Sequence, residues 1–181
     1  MEIWEAIAAD PQAGAKRLIA EYGDRLFAAA MILTQESHSA EDLVSRTFCQ
    51  VLTKITRFDP AYSFWNWLYT ILLNYYRTDL RKHRAEVAET SDFVEDRVGE
   101  EVDGLSRLTE IDAEILRRAV ARLSPEMRTV IMLRYFEDRT LSEMVQILGI
   151  PSGTVKVRLH RARARLNETL SKLFHEGGKE G

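Results

Sequence analysis

The sequence predicts an all-α protein, two small helical domains joined by an acidic flexible linker, the second domain a helix-turn-helix. Three observations lead there. Helix-start signals recur along a chain with only 9 Gly and 4 Pro in 181 residues, so little interrupts a 3.6-residue apolar period. Charge is segregated: residues 1–84 hold ten basic and ten acidic side chains, residues 85–114 two against eleven, and residues 115–175 twelve against five. Near the C-terminal end a capped short helix, a glycine and a second, basic helix follow one another.

Taken in order, Asp10 before Pro11 reads as an N-cap with proline at the first helical position. That helix is expected to run to about Thr34, with Leu18, Ile19, Tyr22, Leu26, Phe27 and Ala30 on its apolar side. Ser39 with Asp42 resembles a capping box opening a helix to about Ile55. Its stripe is Leu43, Val44, Thr47, Phe48, Val51 and Ile55, and Cys49 on or near it reads as a buried structural thiol. Ser63 caps an aromatic-rich helix expected to end near Asn74, with Trp67, Leu68, Ile71 and Leu72 in the core. A shorter basic helix follows from Thr78 to Arg84. Residues 10–85 form the first domain on this reading.

Residues 86–108 lose periodicity and gain acid, the mark of an extended, self-repelling linker. The second domain, 109–174, opens with Thr109 and Asp112 as a cap. Ser124-Pro125-Glu126 starts a helix ending near Phe136, and Thr140 with Glu143 forms a capping box. Gly149 supplies a left-handed stop, and the last helix runs from about Ser152 to Phe174. Leu141, Met144, Val145 and Leu148, then Ile150, Val155, Leu159, Ala162 and Leu166, make one apolar seam.

Composition excludes several classes. Hydrophobic residues are 45% and charged residues 29%, values of an ordinary globular chain. No apolar run approaches the ~20 residues of a membrane span, and the acidic opening Met1-Glu2-Ile3-Trp4-Glu5 lacks signal-peptide order. A cytoplasmic protein without membrane insertion is expected. One cysteine leaves no internal disulfide and no thiolate cluster, and His38, His83, His160 and His175 are scattered. No motif calls for a cofactor or metal, and no glycine-rich phosphate loop or Ser/His/Asp set marks an enzyme.

Two stretches carry nucleic-acid chemistry. Lys156, Arg158, Arg161, Arg163 and Arg165, with His160, line the exposed face of the second helix of the helix-turn-helix, suited to guanine edges and phosphates in a major groove. Gly153 and Thr154 leave room for a phosphate at that helix start. In the first domain, Tyr75, Tyr76 and Arg77 follow Asn74 beside Arg81, Lys82 and Arg84. Rings that stack on bases, next to cations that track phosphates, suit an unpaired strand.

On these residues the chain resembles the extracytoplasmic-function sigma factors. Leu123-Ser124-Pro125-Glu126-Met127-Arg128, Gly149 through Lys156 and Arg158 through Arg163 look like that family's fourth domain, which reads the −35 promoter element. The resemblance implies −35 contacts from Lys156, Val157, Arg158, His160 and Arg161. Ala40 through Val44, Thr47-Phe48 and Phe64 through Asn74 look like its second domain. There it implies −10 recognition by Asn74, Tyr75, Tyr76, Arg77 and Thr78, a loop that captures a flipped base, with Arg81, Lys82 and Arg84 on the backbone. Core polymerase would be met by Asp42, Ser45, Arg46 and Gln50. Val157 stands where the family has a small polar residue, Ser45-Arg46 where it has Gln-Glu, and Thr78 where it has an acid. The resemblance further implies promoter DNA and core RNA polymerase as partners, an anti-sigma factor among possible ones, and a linker threading toward the active-site cleft. The alternative left by the residues themselves is a free-standing helix-turn-helix regulator, or a mimic that binds polymerase without reading DNA.

Overall fold

The computed structural model describes residues 1–87 and 113–177, all helix and short connections, with no strand among them. The greater part of the expected linker, residues 88–108, and the expected Thr109–Asp112 cap lie outside the described residues. The chain divides into two compact units, the first holding the described residues up to 87, the second most of those from 113 on.

In the first unit a helix that periodicity does not announce comes first. α1 (Ile3–Ala9) is capped by Glu2, whose backbone N–H donates to the Glu5 carboxylate at 2.9 Å, and it buries Ile3, Ala6 and Ile7. Asp10 ends α1 and starts α2 (Pro11–Thr34), accepting from the N–H groups of Gln12 and Ala13 at 2.9 and 3.1 Å. The two helices approach closely at Gly14, where a Cβ would lie 2.5 Å from the Ile7 Cα. Glycine is required there by contact. Leu18, Leu26, Ala29, Ala30 and Leu33 of α2 form the core, while Ile19, expected on that side, is exposed.

α3 (Ser37–Lys54) starts earlier than the sequence suggests. Its cap is Glu36, whose carboxylate accepts from the N–H groups of His38 and Ser39. Ser39 and Asp42 make no box, and Asp42 turns instead to Arg46. Cys49 is exposed rather than buried, because Thr47, Phe48 and Val51 occupy the inward face and one step of ~100° past Phe48 turns the thiol outward.

The larger correction concerns α4. It runs unbroken from Phe64 to Val87, across the point where a loop at Asn74–Thr78 was expected. No Gly or Pro lies in this span, and the buried face continues through Leu72, Leu73 and Tyr76. Tyr76 O–H donates to the Leu33 carbonyl at 2.9 Å, tying α4 to the end of α2. Of the expected aromatic core, Leu68 and Leu72 are buried and Trp67 and Ile71 half-buried. Phe58, Phe64 and Trp67 pack with centroids 5.3–5.8 Å apart, closing the connection before α4.

The second unit follows the sequence closely. α5 (Ala113–Ala121) precedes Ser124, which caps α6 (Pro125–Ile131); a π turn over Met132–Phe136 extends it. α7 (Leu141–Leu148) has the expected reciprocal box: Thr140 N–H donates to Glu143 at 2.9 Å and Glu143 N–H to Thr140 Oγ1 at 3.3 Å. Gly149 stops it at φ 64°. α8 (Ser152–Gly177) packs on α5 and α6 through Val155, Leu159, Ala162, Leu166, Leu170 and Leu173.

Candidate nucleic-acid interface

On α8 the seam residues Val155, Leu159 and Ala162 face inward and thereby turn the intervening side chains out. Lys156, Val157 and Arg161 are exposed, Val157 with 49% of its surface open, and Arg158 and His160 are half-buried. Among the described residues Lys156, Arg158 and Arg161 have no carboxylate partner. The other two cations of the stripe are engaged within the unit. Arg163 Nε donates to the Tyr135 hydroxyl at 2.7 Å, its guanidinium 5.8 Å from the ring centroid. Arg165 pairs with Glu168 at 2.9 Å. Lys172 also reaches Glu168, and Lys172 first, then Arg165, hold its carboxyl below the ordinary range. A Cβ at Gly153 would meet nothing within 4 Å, so packing within the chain does not demand glycine there.

On α4, Asn74 is exposed, Tyr75, Arg77 and Thr78 are half-buried, and Arg81, Lys82 and Arg84 are exposed. Tyr76 is buried at 6% and belongs to the core. Thr78 Oγ1 donates to the Asn74 carbonyl at 2.9 Å and accepts from Arg81 at 3.2 Å.

On α3, Asp42 and Ser45 are exposed and Arg46 and Gln50 half-buried. Asp42, Arg46 and Gln50 stand at successive i,i+4 positions, so they form one row along the helix. That row meets a second one, Tyr75 and Asp79 of α4. Arg46 forks onto both oxygens of Asp79, one of them at 3.1 Å. Its Nε lies 2.8 Å from Asp42 Oδ2, and its guanidinium carbon 5.2 Å from the Tyr75 ring centroid. Tyr75 O–H donates to Gln50 Oε1 at 3.2 Å. Hydrogen bonding to Asp79, then the charges of Asp79 and Asp42, raise the Arg46 pKa despite partial burial. Sequence reasoning named Asp42, Arg46, Gln50 and Tyr75 for separate surfaces and missed Asp79, which joins them. The i,i+4 spacing of Asp42 and Arg46 was a legible signal; Asp79, 33 positions from Arg46, offered none.

Among the described residues no group of three or more His, Cys, Asp or Glu could hold a metal ion, and no helix is long and apolar enough to cross a membrane. What the two surfaces share is exposed positive charge on helices whose opposite faces are core.

Comparison with known proteins gives a consistent result. Residues 18–86 match the family model for sigma-70 region 2, and residues 113–166 that for sigma-70 region 4. The chain is 34% identical over 164 residues to the ECF RNA polymerase sigma factor SigW of Bacillus subtilis, covering 84% of this chain and 86% of that one. It is similar to the sigma factor RpoE, solved in complex with the anti-sigma factor NepR from Bartonella quintana. There the TM-score is 0.68 and the identity 29%, over 86% of this chain and 96% of that one. CnrH, solved with the cytosolic domain of CnrY, shares the fold at TM-score 0.64 and 24% identity, over 94% and 96% of the two chains.

Proposed function

Because the chain belongs to the extracytoplasmic-function RNA polymerase sigma factors, we propose that its two units divide promoter recognition between the named surfaces. The chain is a non-enzymatic initiation factor that binds core RNA polymerase and promoter DNA. The finer assignment is ours. Residues 10–85 act on polymerase and the −10 element, residues 86–108 serve as the acidic linker, and residues 109–174 read the −35 element.

At −35, α8 enters the major groove with Lys156, Arg158, His160 and Arg161 toward bases and phosphates, and Val157 toward an apolar edge such as a thymine methyl. The observation that carries this reading is that Lys156, Arg158 and Arg161, unlike Arg163 and Arg165, have no internal side-chain partner among the described residues. Gly153, free of packing demands within the chain, lets a phosphate approach the helix start.

At −10, the exposed edge of α4 holds the melted strand. Asn74, Tyr75, Arg77 and Thr78 meet the bases, and Arg81, Lys82 and Arg84 follow the backbone. Tyr76 serves that site from behind, as the core residue that sets the helix on α2. The edge of α3 beside α4, with Asp42, Ser45, Arg46 and Gln50, meets polymerase. By analogy with RpoE and NepR, an anti-sigma factor controls access to these surfaces, and the protein works in the cytoplasm.

The test is run-off transcription of genomic DNA by core polymerase with and without the purified chain. Start sites that depend on the chain and share upstream elements are expected. Identical transcripts without it would overturn this reading, and tight duplex binding by the chain alone at a palindrome would favour a free-standing regulator.

A further inference from the structure

We infer that Arg46 is a positioning residue for the strand-binding edge of α4, acting through Asp79 and Tyr75. This rests on the proposal that α4 holds the −10 strand. A tyrosine on a helix surface samples several rotamers, and stacking on a base would cost that freedom. Here the freedom is already reduced. The Tyr75 hydroxyl is held by Gln50 at 3.2 Å, and the guanidinium of Arg46 lies 5.2 Å from the ring centroid. Arg46 is itself fixed from two sides, by the fork onto Asp79 and by Asp42 2.8 Å from Nε. The result is an interlock of facing rows, Asp42–Arg46–Gln50 and Tyr75–Asp79, with Arg46 at its centre. Its charge is directed across the helix pair, onto carboxylates of the same unit.

The arrangement needs an arginine. Only a planar fork satisfies both Asp79 oxygens while presenting a flat cation to a ring; an ammonium is a point charge and does one or the other. Tyr75 and Asp79 sit one turn apart on α4, so fixing Asp79 fixes the edge on which Tyr75 stands. The same interlock joins the row proposed to meet polymerase to the edge proposed to meet DNA, so the ring is set before the strand arrives.

The experiment uses the full chain assembled with core polymerase. The probe is a fluorescent single-stranded oligonucleotide carrying the −10 sequence of a start site mapped by run-off. Asp79→Ala, Arg46→Ala and Arg46→Lys should each weaken strand binding about tenfold, the worth of one imperfect stack. The Arg46→Ala/Asp79→Ala double variant should be no worse than Arg46→Ala alone, which already removes the pair with Asp79. Asp79→Ala should leave the urea unfolding midpoint nearly unmoved, a result that a merely destabilised fold would not give. Additive effects in the double variant, or an Asp79→Ala chain that binds the strand normally, would overturn the inference. A wild-type complex that fails to bind the oligonucleotide would overturn the strand-binding role of α4 itself.

Discussion

Arginines five residues or fewer apart on α8 have different fates, and the difference is which side chain lies within reach. Arg163 is engaged by Tyr135, while Arg158 and Arg161 have no side-chain partner among the described residues. Alanine at Lys156, Arg158 or Arg161 should weaken −35 recognition by about 1–3 kcal/mol each and leave the unfolding midpoint nearly unmoved. Arg163→Ala should do the reverse, lowering stability by about 1–2 kcal/mol with little direct effect on the DNA contact. Promoter binding beside chemical denaturation separates the two cases. Glu36 gives a prediction in pH. Its carboxylate accepts hydrogen bonds at the start of α3, chiefly from Ser39 and then His38, which lower its pKa on folding. A carboxyl depressed in the fold contributes stability above its unfolded value and loses it as pH falls through the folded one. Melting temperature should therefore fall with acid partly through this group, and Glu36→Gln should flatten that part of the profile.

Every described α-helix but α1 was expected from sequence, though α3 begins earlier, at Ser37, and α4 runs through the break expected after Asn74. α2, α6, α7 and the start of α8 begin at Asp10, Ser124, Thr140 and Ser152, where cap and period agree. α1 escaped because its 7 residues are too few to show a period; its existence depends on packing against α2. The Gly14 contact is the test. Gly14→Ala places a methyl against the Ile7 backbone and should destabilise the first unit by about 1–3 kcal/mol in urea unfolding, although alanine is the better helix former. The false break at Asn74 has a related cause. Polar and aromatic residues there weaken the apparent stripe, yet with no glycine or proline the backbone has no reason to stop.

For the molecule as a whole, a net charge of −3 conceals a basic stretch, because the acid concentrates in residues 85–114 and the base in residues 115–175. Affinity of the polymerase-bound chain for promoter DNA should accordingly fall steeply with salt. Alanine at Arg81 or Lys82 should lower the log–log slope by about one each, as the loss of a phosphate contact does. An unchanged slope would remove those side chains from the backbone path. The family, the all-α class, the helix-turn-helix and its basic stripe were legible in the sequence because they arise from neighbours three or four positions apart, where capping and periodicity act. The tertiary structure alone decided the rest. Arg46 meets Asp79 across 33 positions and Tyr76 meets Leu33 across 43. No local pattern encodes such pairs, since they exist only once apolar faces have packed and brought distant rows of side chains into register.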